Sequence, residues 1–308
     1  MTKEIKNVAA SVRQRLLNLA RGRNEDFGLV LTKYALERLL YRISQSPYKA
    51  TFILKGALLF ELWTEQRYRP TRDADFLAHG DNDPARFQEI FKELCAITVE
   101  DDGMVFDPAK VTAERIKENA DYEGVRVNFI GFLEKARVPM QMDIGFGDAI
   151  TPQAAEATYP VMLDQPAPVL LTYPRETAIA EKFEAMVKLG IANSRMKDFH
   201  DLRSLAELFA FDGKTLFEAI RRTFERRGTA IPTNTALPIA LTSEFFDNEA
   251  KKGQWNAFVS KNKQYVSAMS LREVVATTER FLMPLIAPES DEDPSRWTWP
   301  PGGPWSKT

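Results

Sequence analysis

The sequence has few of the side chains that build thiolate and imidazole sites. It contains one cysteine, Cys95, and two histidines, His79 and His200, among 308 residues. A lone cysteine forms no intramolecular disulfide and no thiolate zinc site, which predicts a protein of a reducing compartment. Two histidines exclude a His-rich metal centre, and they allow a histidine-based triad only if one of them is the base. Chemistry is therefore expected to rest on carboxylates and cations.

Long apolar runs and a strong charge bias are also missing. No stretch approaches the run of about 18 apolar residues that spans a membrane, and the charged N-terminus lacks the apolar region of a secretory signal. The chain carries 41 Lys and Arg against 43 Asp and Glu. This balance argues against a protein that coats nucleic acid, whereas a local basic patch could still bind RNA phosphates. We expect a cytoplasmic protein that contacts no membrane.

Apolar periodicity predicts a mixed α/β first half and a mostly helical second half. The clearest element is a β-hairpin, in which apolar residues alternate over 125–133 and again over 138–146. The other predicted strands are 51–54, 73–78 and 168–172, and the predicted helices are 8–22, 29–46, 56–64, 84–96, 174–190, 197–210, 213–227 and 270–286. These elements predict an α/β lobe over 1–172 and a helical lobe over 173–287.

The remaining residues, 288–308, form a tail rich in proline and tryptophan. One interpretation is a flexible tail. The other is an extended segment whose tryptophans dock on the body or on a partner, which the aromatic content favours because disordered tails are poor in aromatics. The three residues concerned are Trp297, Trp299 and Trp305.

An Asp-x-Asp pair opens the predicted strand 73–78. Spacing alone is weak evidence, because 18 aspartates in 308 residues predict about one such pair by chance and the sequence has three. Residues two apart on a strand share a face, so Asp73 and Asp75 would present paired carboxylates to Mg²⁺. The alternative is a strand-end pair neutralised by Arg69 and Arg72.

Another carboxylate, Asp143, lies in the second hairpin strand. Its apolar neighbours Met142 and Ile144 belong to one face, which puts Gln141 and Asp143 on the other. An acid in mid-strand is unfavourable unless its face is solvated or forms a site. Asp143 is therefore either a solvated sheet residue or part of a site.

Four segments occur in order along the chain: LKGALLFELW with RPTRDADFL, the hairpin with MQMDIGFGD, TYPRETAIAEKFEAMVKLG, and RMKDFHDL. Over residues 30–210 this arrangement resembles the AbiEii/AbiGii toxin family, which includes the MenT toxins and is related to the DNA polymerase beta type nucleotidyltransferases. The resemblance implies an α/β (α+β) fold, with a mixed β-sheet flanked by helices and a mostly helical C-terminal lobe. It also implies Mg²⁺-dependent nucleotide transfer and a toxin–antitoxin context.

The resemblance assigns roles to individual residues. Asp73 and Asp75 match the metal-binding Asp-x-Asp, and Asp143 falls where the superfamily has its third carboxylate. Lys182 and Asp198 match a phosphate-binding lysine and the last acidic motif, so the catalytic candidates are Asp73, Asp75, Lys182 and Asp198. The nucleotide-binding candidates are Lys55, Gly56, Ala57, Arg72 and Lys182.

One position departs from the family pattern. Ala57 stands where relatives often have Ser or a second Gly, which removes a hydroxyl and the backbone freedom of glycine. Contact between the triphosphate and this turn is still expected, with a geometry that differs.

The implied reaction moves a nucleotide from an NTP, CTP or another, to the 3′ end of tRNA, and a cognate antitoxin neutralises the protein. Two Mg²⁺ ions held by carboxylates suit this chemistry, since they stabilise the attacking and leaving oxygens without any histidine. Two other functions stay open: phosphotransfer with the same carboxylates, and a module that binds a nucleotide or partner without turnover.

Several candidates also have ordinary structural interpretations. Lys182 could be a boundary lysine of an apolar helix, and Asp198 a first-turn acid, with Asp201 paired to Lys197. Neither histidine is assigned a catalytic role. Two basic clusters could contact RNA or be solvated surface: Arg67, Arg69 and Arg72, and, on a later helix, Arg221, Arg222, Arg226 and Arg227.

Overall fold

The computed structural model describes residues 7–65, 67–119, 122–233, 236–287 and 293–307. The chain divides into two compact units. Unit 1 comprises residues 1–147 and 155–172, and unit 2 comprises residues 148–154 and 173–308.

Unit 1 is an eight-stranded mixed sheet flanked by helices. Its strands are β1 (Phe52–Lys55), β2 (Asp73–Ala78), β3 (Met104–Phe106), β4 (Thr112–Asn119), β5 (Tyr122–Leu133), β6 (Ala136–Phe146), β7 (Ala155–Thr158) and β8 (Val169–Thr172). Its helices are α1 (Val8–Arg23), α2 (Phe27–Ser44), α3 (Leu59–Trp63) and α4 (Pro84–Ala96). The strand order is β3-β5-β6-β2-β1-β8-β7, and β4 pairs with β5.

Local signals set the helix ends of unit 1. Asp26 caps α2 by accepting a hydrogen bond from the Leu29 amide at 3.0 Å. Asp83 caps α4, whose first residue is Pro84, where a missing N–H costs nothing. The β5–β6 hairpin turns at Glu134, which has a positive φ of 52°.

The core of unit 1 lies between the sheet and its helices. Phe52 of β1 packs against Phe76, Phe87 and Phe91, with ring centroids 5.4 to 6.2 Å apart. Strand residues alternate between this core and a more exposed face, so the same register that buries the phenylalanines brings polar residues together on the opposite face.

Unit 2 is mostly helical. Its helices are α5 (Arg175–Leu189), α6 (Met196–Leu208), α7 (Gly213–Arg227), α8 (Ser243–Phe246), α9 (Glu249–Lys261) and α10 (Leu271–Ile286). A small sheet joins β9 (Phe211–Asp212), β10 (Trp297–Trp299) and β11 (Ser306–Lys307) in the order β11-β10-β9. Helices α5 and α7 pack through Phe183 and Phe224, whose ring centroids are 5.5 Å apart. No described helix combines the length and the apolarity needed to cross a membrane.

The predicted elements agree with the structure where the apolar pattern is regular. The mixed α/β first half and the mostly helical second half are confirmed, and 73–78, 84–96 and 213–227 have the predicted bounds. The segment 56–64 begins with a 3-10 turn at 56–58 before α3. Short or polar elements were missed, namely β3, β4, β7, β9, β10, β11, α8 and α9.

Part of the predicted tail lies outside the described residues, namely 288–292 and 308. In the described part, Trp299 donates to the Ala206 carbonyl and Trp305 to the Phe281 carbonyl, each at 2.7 Å. These two tryptophans therefore dock on unit 2, as the aromatic content favours.

Candidate active site

A row of charged residues crosses four adjacent strands of unit 1. Lys55 of β1 is opposite Asp75 of β2, Asp75 is opposite Asp143 of β6, and Asp143 is opposite Arg126 of β5. Directly opposite residues on neighbouring strands have their side chains on one face of the sheet. The register therefore brings Asp75 and Asp143 together from positions far apart in the sequence.

Asp73 belongs to the next polar row of the same face. It is opposite Gln141 of β6, which is opposite Asn128 of β5. The hydroxyl of Thr71 hydrogen-bonds to the Asp73 carboxylate. Asp73 and Asp75 are each half-buried, whereas Ala74 between them is buried in the core. The two carboxylates therefore share one face of β2, as predicted.

The turn after β1 fits closely against Asp75. Gly56 has a φ of +77°, a conformation that favours glycine, and a Cβ added there would lie 2.8 Å from the Asp75 Cγ. Lys55 is buried beside this turn, and Ala57 lies within the 3-10 turn that follows. Only a glycine at position 56 leaves room for the carboxylate in this place.

Asp143 forms a bidentate ion pair. Its Oδ1 accepts from Arg126 Nε at 2.8 Å, and its Oδ2 accepts from Arg126 Nη2 at 2.7 Å. The hydrogen bond to Asp143 is the main reason that the pKa of Arg126 is raised, so this guanidinium stays charged. Sequence analysis missed Arg126. The alternation around Val125 and Val127 would have placed it on the polar face, but only the strand register assigns Asp143 as its partner.

The carboxylates of unit 1 suit a magnesium ion. Among the described residues, no group of three or more Asp, Glu, His or Cys is arranged to hold a metal ion. Magnesium usually binds one or two carboxylates together with waters and substrate phosphates, so it needs no cage made of protein alone. Asp73 and Asp75 on one strand face supply that donor set, and Gly56, which has no Cβ, leaves room for the Asp75 carboxylate against the turn.

A second cluster of candidates lies within unit 2. Lys182 Nζ of α5 donates to Asp198 Oδ1 at 2.8 Å and to Asp201 Oδ2 at 2.9 Å, both on α6. Arg195 Nε donates to Asp198 Oδ2 at 2.6 Å. The Asp198 side chain is 1% exposed, and that of Lys182 is 14% exposed. The structure thus brings Lys182, Asp198 and Asp201 together, and Asp201 is paired with Lys182.

The electrostatic state of Asp198 follows from this packing. Burial by itself raises the pKa of the carboxyl, but the nearby charges of Lys182 and Arg195 outweigh burial and hold the pKa below its usual value. Asp198 is therefore an ionised residue that fixes two cations.

The two predicted basic clusters do not form two open patches. Arg69 is buried, and Arg67 Nη1 donates to the Arg23 carbonyl at 2.8 Å, while Arg72 is exposed. The Arg227 side chain is only 9% exposed, and it pairs with Asp148 at 2.9 Å and with Glu184 at 3.0 Å within unit 2.

The rest of the arginine cluster on α7 is mixed. Arg221 pairs with Glu218 and Glu225 on the helix surface. Arg222 and Arg226 are exposed. Because Arg221 and Arg227 are engaged by acids, α7 is not a basic face of four unpaired arginines.

The single cysteine and one of the two histidines are buried. Cys95 is buried in α4, and burial raises the pKa of its thiol to about 12, which leaves it unsuited as a nucleophile. His200 is buried with its ring 5.8 Å from that of Phe258. His79 is exposed just after β2.

The sequence matches one protein-family profile over most of its length. A profile described as nucleotidyl transferase AbiEii toxin of a type IV toxin–antitoxin system matches residues 38–277. The solved structure of MenT4, a nucleotidyltransferase toxin of Mycobacterium tuberculosis H37Rv, is 18% identical over 90% of this chain and 96% of its own, with a TM-score of 0.46. That of a putative nucleotidyltransferase from H. pylori is 14% identical over 78% of this chain and 87% of its own, with a TM-score of 0.44. Comparison with curated proteins gives no match.

Proposed function

Because the chain belongs to the AbiEii family of nucleotidyl transferase toxins of type IV toxin–antitoxin systems, we propose that it transfers a nucleotide from an NTP to RNA, at the 3′ end of tRNA. The observation that carries the proposal is the pair Asp73 and Asp75 on one face of β2, with Gly56 packed against the Asp75 carboxylate. CTP is one candidate donor. A cognate antitoxin is the expected protein partner.

Asp73 and Asp75 are the proposed ligands of Mg²⁺, in a site of two metal ions. Asp143 is the third carboxylate of the same sheet face, and both of its oxygens accept from Arg126. Bound Mg²⁺ would neutralise charge on the phosphates and favour ionisation of the attacking hydroxyl. The protein's own part is to hold the two carboxylates on a rigid strand, since β2 is paired on both sides, with β1 and β6. A fixed donor pair needs no rearrangement when substrate binds.

The remaining candidates are proposed to bind the phosphates. Lys55, Gly56 and Ala57 form the turn after β1, where backbone N–H groups and a lysine would meet the triphosphate. Arg72 is exposed directly before Asp73. Lys182 is proposed to bind a phosphate as a compact charge, and Asp198 to keep that ammonium in place through their 2.8 Å hydrogen bond.

Label transfer tests the reaction. The purified protein is incubated with total RNA, Mg²⁺ and NTPs that carry the label on either the α- or the γ-phosphate. We expect α-label in RNA, and a loss of at least about 100-fold in Asp73→Asn and Asp75→Asn, because each change removes a charged oxygen donor. Asp81→Asn is the matched control, since Asp81 is an exposed member of another Asp-x-Asp pair.

Two outcomes would contradict the proposed transfer of a nucleotide, and a growth assay tests the toxin activity. Label from the γ-position alone indicates phosphotransfer. No label in RNA, with growth arrest retained by Asp73→Asn, indicates a binding module without turnover. Growth arrest that Asp73→Asn abolishes and that the co-expressed antitoxin relieves supports the proposed toxin activity.

A further inference from the structure

Arg126 lies on the same sheet face as the proposed metal-binding residues. It faces Asp143 across the β5–β6 pair, and Asp143 faces Asp75 across the β6–β2 pair. Neighbouring strands are about 4.8 Å apart, so Arg126 lies on the order of 10 Å from Asp75. Its strand, β5, is the second strand from β2 on the side away from β1.

The ion pair with Asp143 orients the guanidinium without burying it. Arg126 contributes Nε and Nη2, and its side chain is 34% exposed, against 13% for Asp143. A guanidinium has five N–H groups, of which the bidentate pair uses two. The less exposed Asp143 thus holds a half-exposed cation in one orientation, which is the arrangement that suits planar recognition of a phosphate.

Strand order indicates which phosphate this cation would meet. The turn at Gly56 follows β1, on one side of β2, whereas Arg126 belongs to β5, on the other side. In-line displacement places the attacking and leaving oxygens on opposite sides of the phosphorus. If the pyrophosphate leaves from the Gly56 side, the acceptor hydroxyl and its strand enter from the side of β6 and β5.

We infer that Arg126 binds a backbone phosphate of the acceptor RNA strand and that Asp143 is the residue that positions its guanidinium. This inference rests on the proposed function, because it names the acceptor side of the same site. Near a cluster of carboxylates, such a cation offsets the repulsion that an RNA phosphate would meet. Asp143 acts through Arg126 in this role.

The test separates binding of the acceptor from binding of the nucleotide. Arg126→Ala should raise the KM for deacylated total tRNA about tenfold, the usual effect of one hydrogen bond to a charged group, and leave the KM for the NTP within about twofold. Arg126→Lys should restore the acceptor KM only in part, since an ammonium lacks the bidentate geometry. Arg137→Ala is the matched control, because Arg137 is an exposed arginine of β6 on the same face as Asp143 but six residues away, about 20 Å along the strand.

Asp143→Asn tests the positioning role. It should raise the acceptor KM in the wild-type background and cause no further increase in Arg126→Ala, because both changes act through one guanidinium. Independent effects that multiply would overturn the role of Asp143. Thermal unfolding of each variant checks that the protein is folded, and a half-exposed pair is expected to contribute only about 0.5 kcal/mol to stability.

Binding of labelled tRNA, followed by fluorescence anisotropy without NTP, separates this inference from the proposed function. Loss of one phosphate contact should lower the slope of log K against log salt by about 0.7 to 1 in Arg126→Ala. Active wild-type protein with an unchanged acceptor KM and salt slope in this variant overturns the inference alone. Wild-type protein that binds tRNA but transfers no label overturns the proposed function, and the salt slopes still decide the role of Arg126. Wild-type protein that binds no tRNA overturns both.

Discussion

Asp198 shows how single residues of this protein depend on charged neighbours. Its carboxylate is 1% exposed and accepts hydrogen bonds from Lys182 and Arg195. A buried carboxylate without such partners would be strongly unfavourable. The cluster is therefore a structural element of unit 2, whatever substrate Lys182 contacts.

Asp198→Asn should lower the free energy of unfolding by about 2 kcal/mol at pH 7, because one hydrogen bond to a charged partner is weakened. The pKa of Asp198 is lowered in the folded state, so its contribution is complete above the unfolded value of about 4 and is lost as the pH falls through the folded value. The difference between wild type and variant should therefore shrink at pH 3.

Urea unfolding of both proteins at pH 7 and pH 3 measures this difference. Asp81→Asn, at an exposed position, should match wild type at both pH values. A difference that stays constant or grows on acidification would show that the Asp198 carboxylate does not carry the effect.

At the scale of the element, the turn after β1 packs directly against a side chain of β2, the neighbouring strand. Lys55 faces Asp75 in the ladder, and the backbone then turns at Gly56 with a φ of +77° against the Asp75 carboxylate. The position of the metal-binding candidate thus depends on a residue of the neighbouring element.

Gly56→Ala should displace the Asp75 carboxylate and place a non-glycine residue at positive φ. The expected cost is about 1 to 2 kcal/mol in unfolding free energy, together with loss of label transfer. Gly22→Ala is the control, since Gly22 lies in α1 and a Cβ there meets nothing within 4 Å. That variant should be as stable as wild type or up to about 1 kcal/mol more stable. Equal behaviour of the two variants in urea unfolding and label transfer would contradict the role of the turn.

At the scale of the whole molecule, the segment 297–307 packs into unit 2. Strand β10 pairs with β9 through Thr298 with Asp212 and Trp299 with Phe211. Trp299 is 3% exposed and contacts Phe281 of α10 with ring centroids 4.8 Å apart. A segment near the C-terminus is therefore part of the core that α6 and α10 share.

Trp299→Ala should destabilise unit 2 by about 3 to 5 kcal/mol, because a buried indole and its hydrogen bond to Ala206 are lost. Trp297→Ala should cost much less, since Trp297 is only half-buried on the rim of a 410 Å³ cavity. Chemical unfolding followed by circular dichroism gives both values. If both variants match wild type, the segment does not belong to the cooperative core.

Most of the regular elements could be predicted because their burial follows one period. The hairpin strands and β2 alternate between apolar and polar residues, and α4 and α7 have capping aspartates at their first turns, Asp83 and Asp212. Strand β4, TAERIKEN, and helix α9, EAKKGQWNAFVSK, lack such a pattern, so packing in the fold decides their structure.

Some features of the candidate site could likewise be predicted from the sequence, and others could not. Asp73, Asp75 and Asp143 could be assigned to a polar face because a strand has a period of two. The pairing of Asp143 with Arg126 could not, since it depends on a strand register that the sequence does not specify. Arg227 was a candidate for a basic surface, but it forms ion pairs with Asp148, Glu181 and Glu184 within unit 2.

The sequence by itself determined the type of chemistry, because scarce cysteine and histidine leave carboxylates and cations, and local periodicity placed those groups on particular faces. Tertiary structure alone decided which charges meet. Asp75 meets Asp143 and Lys182 meets Asp198 only when distant segments pack. In the low dielectric of the packed interior an unpaired charge is costly, so the buried charges are paired and the others keep contact with solvent.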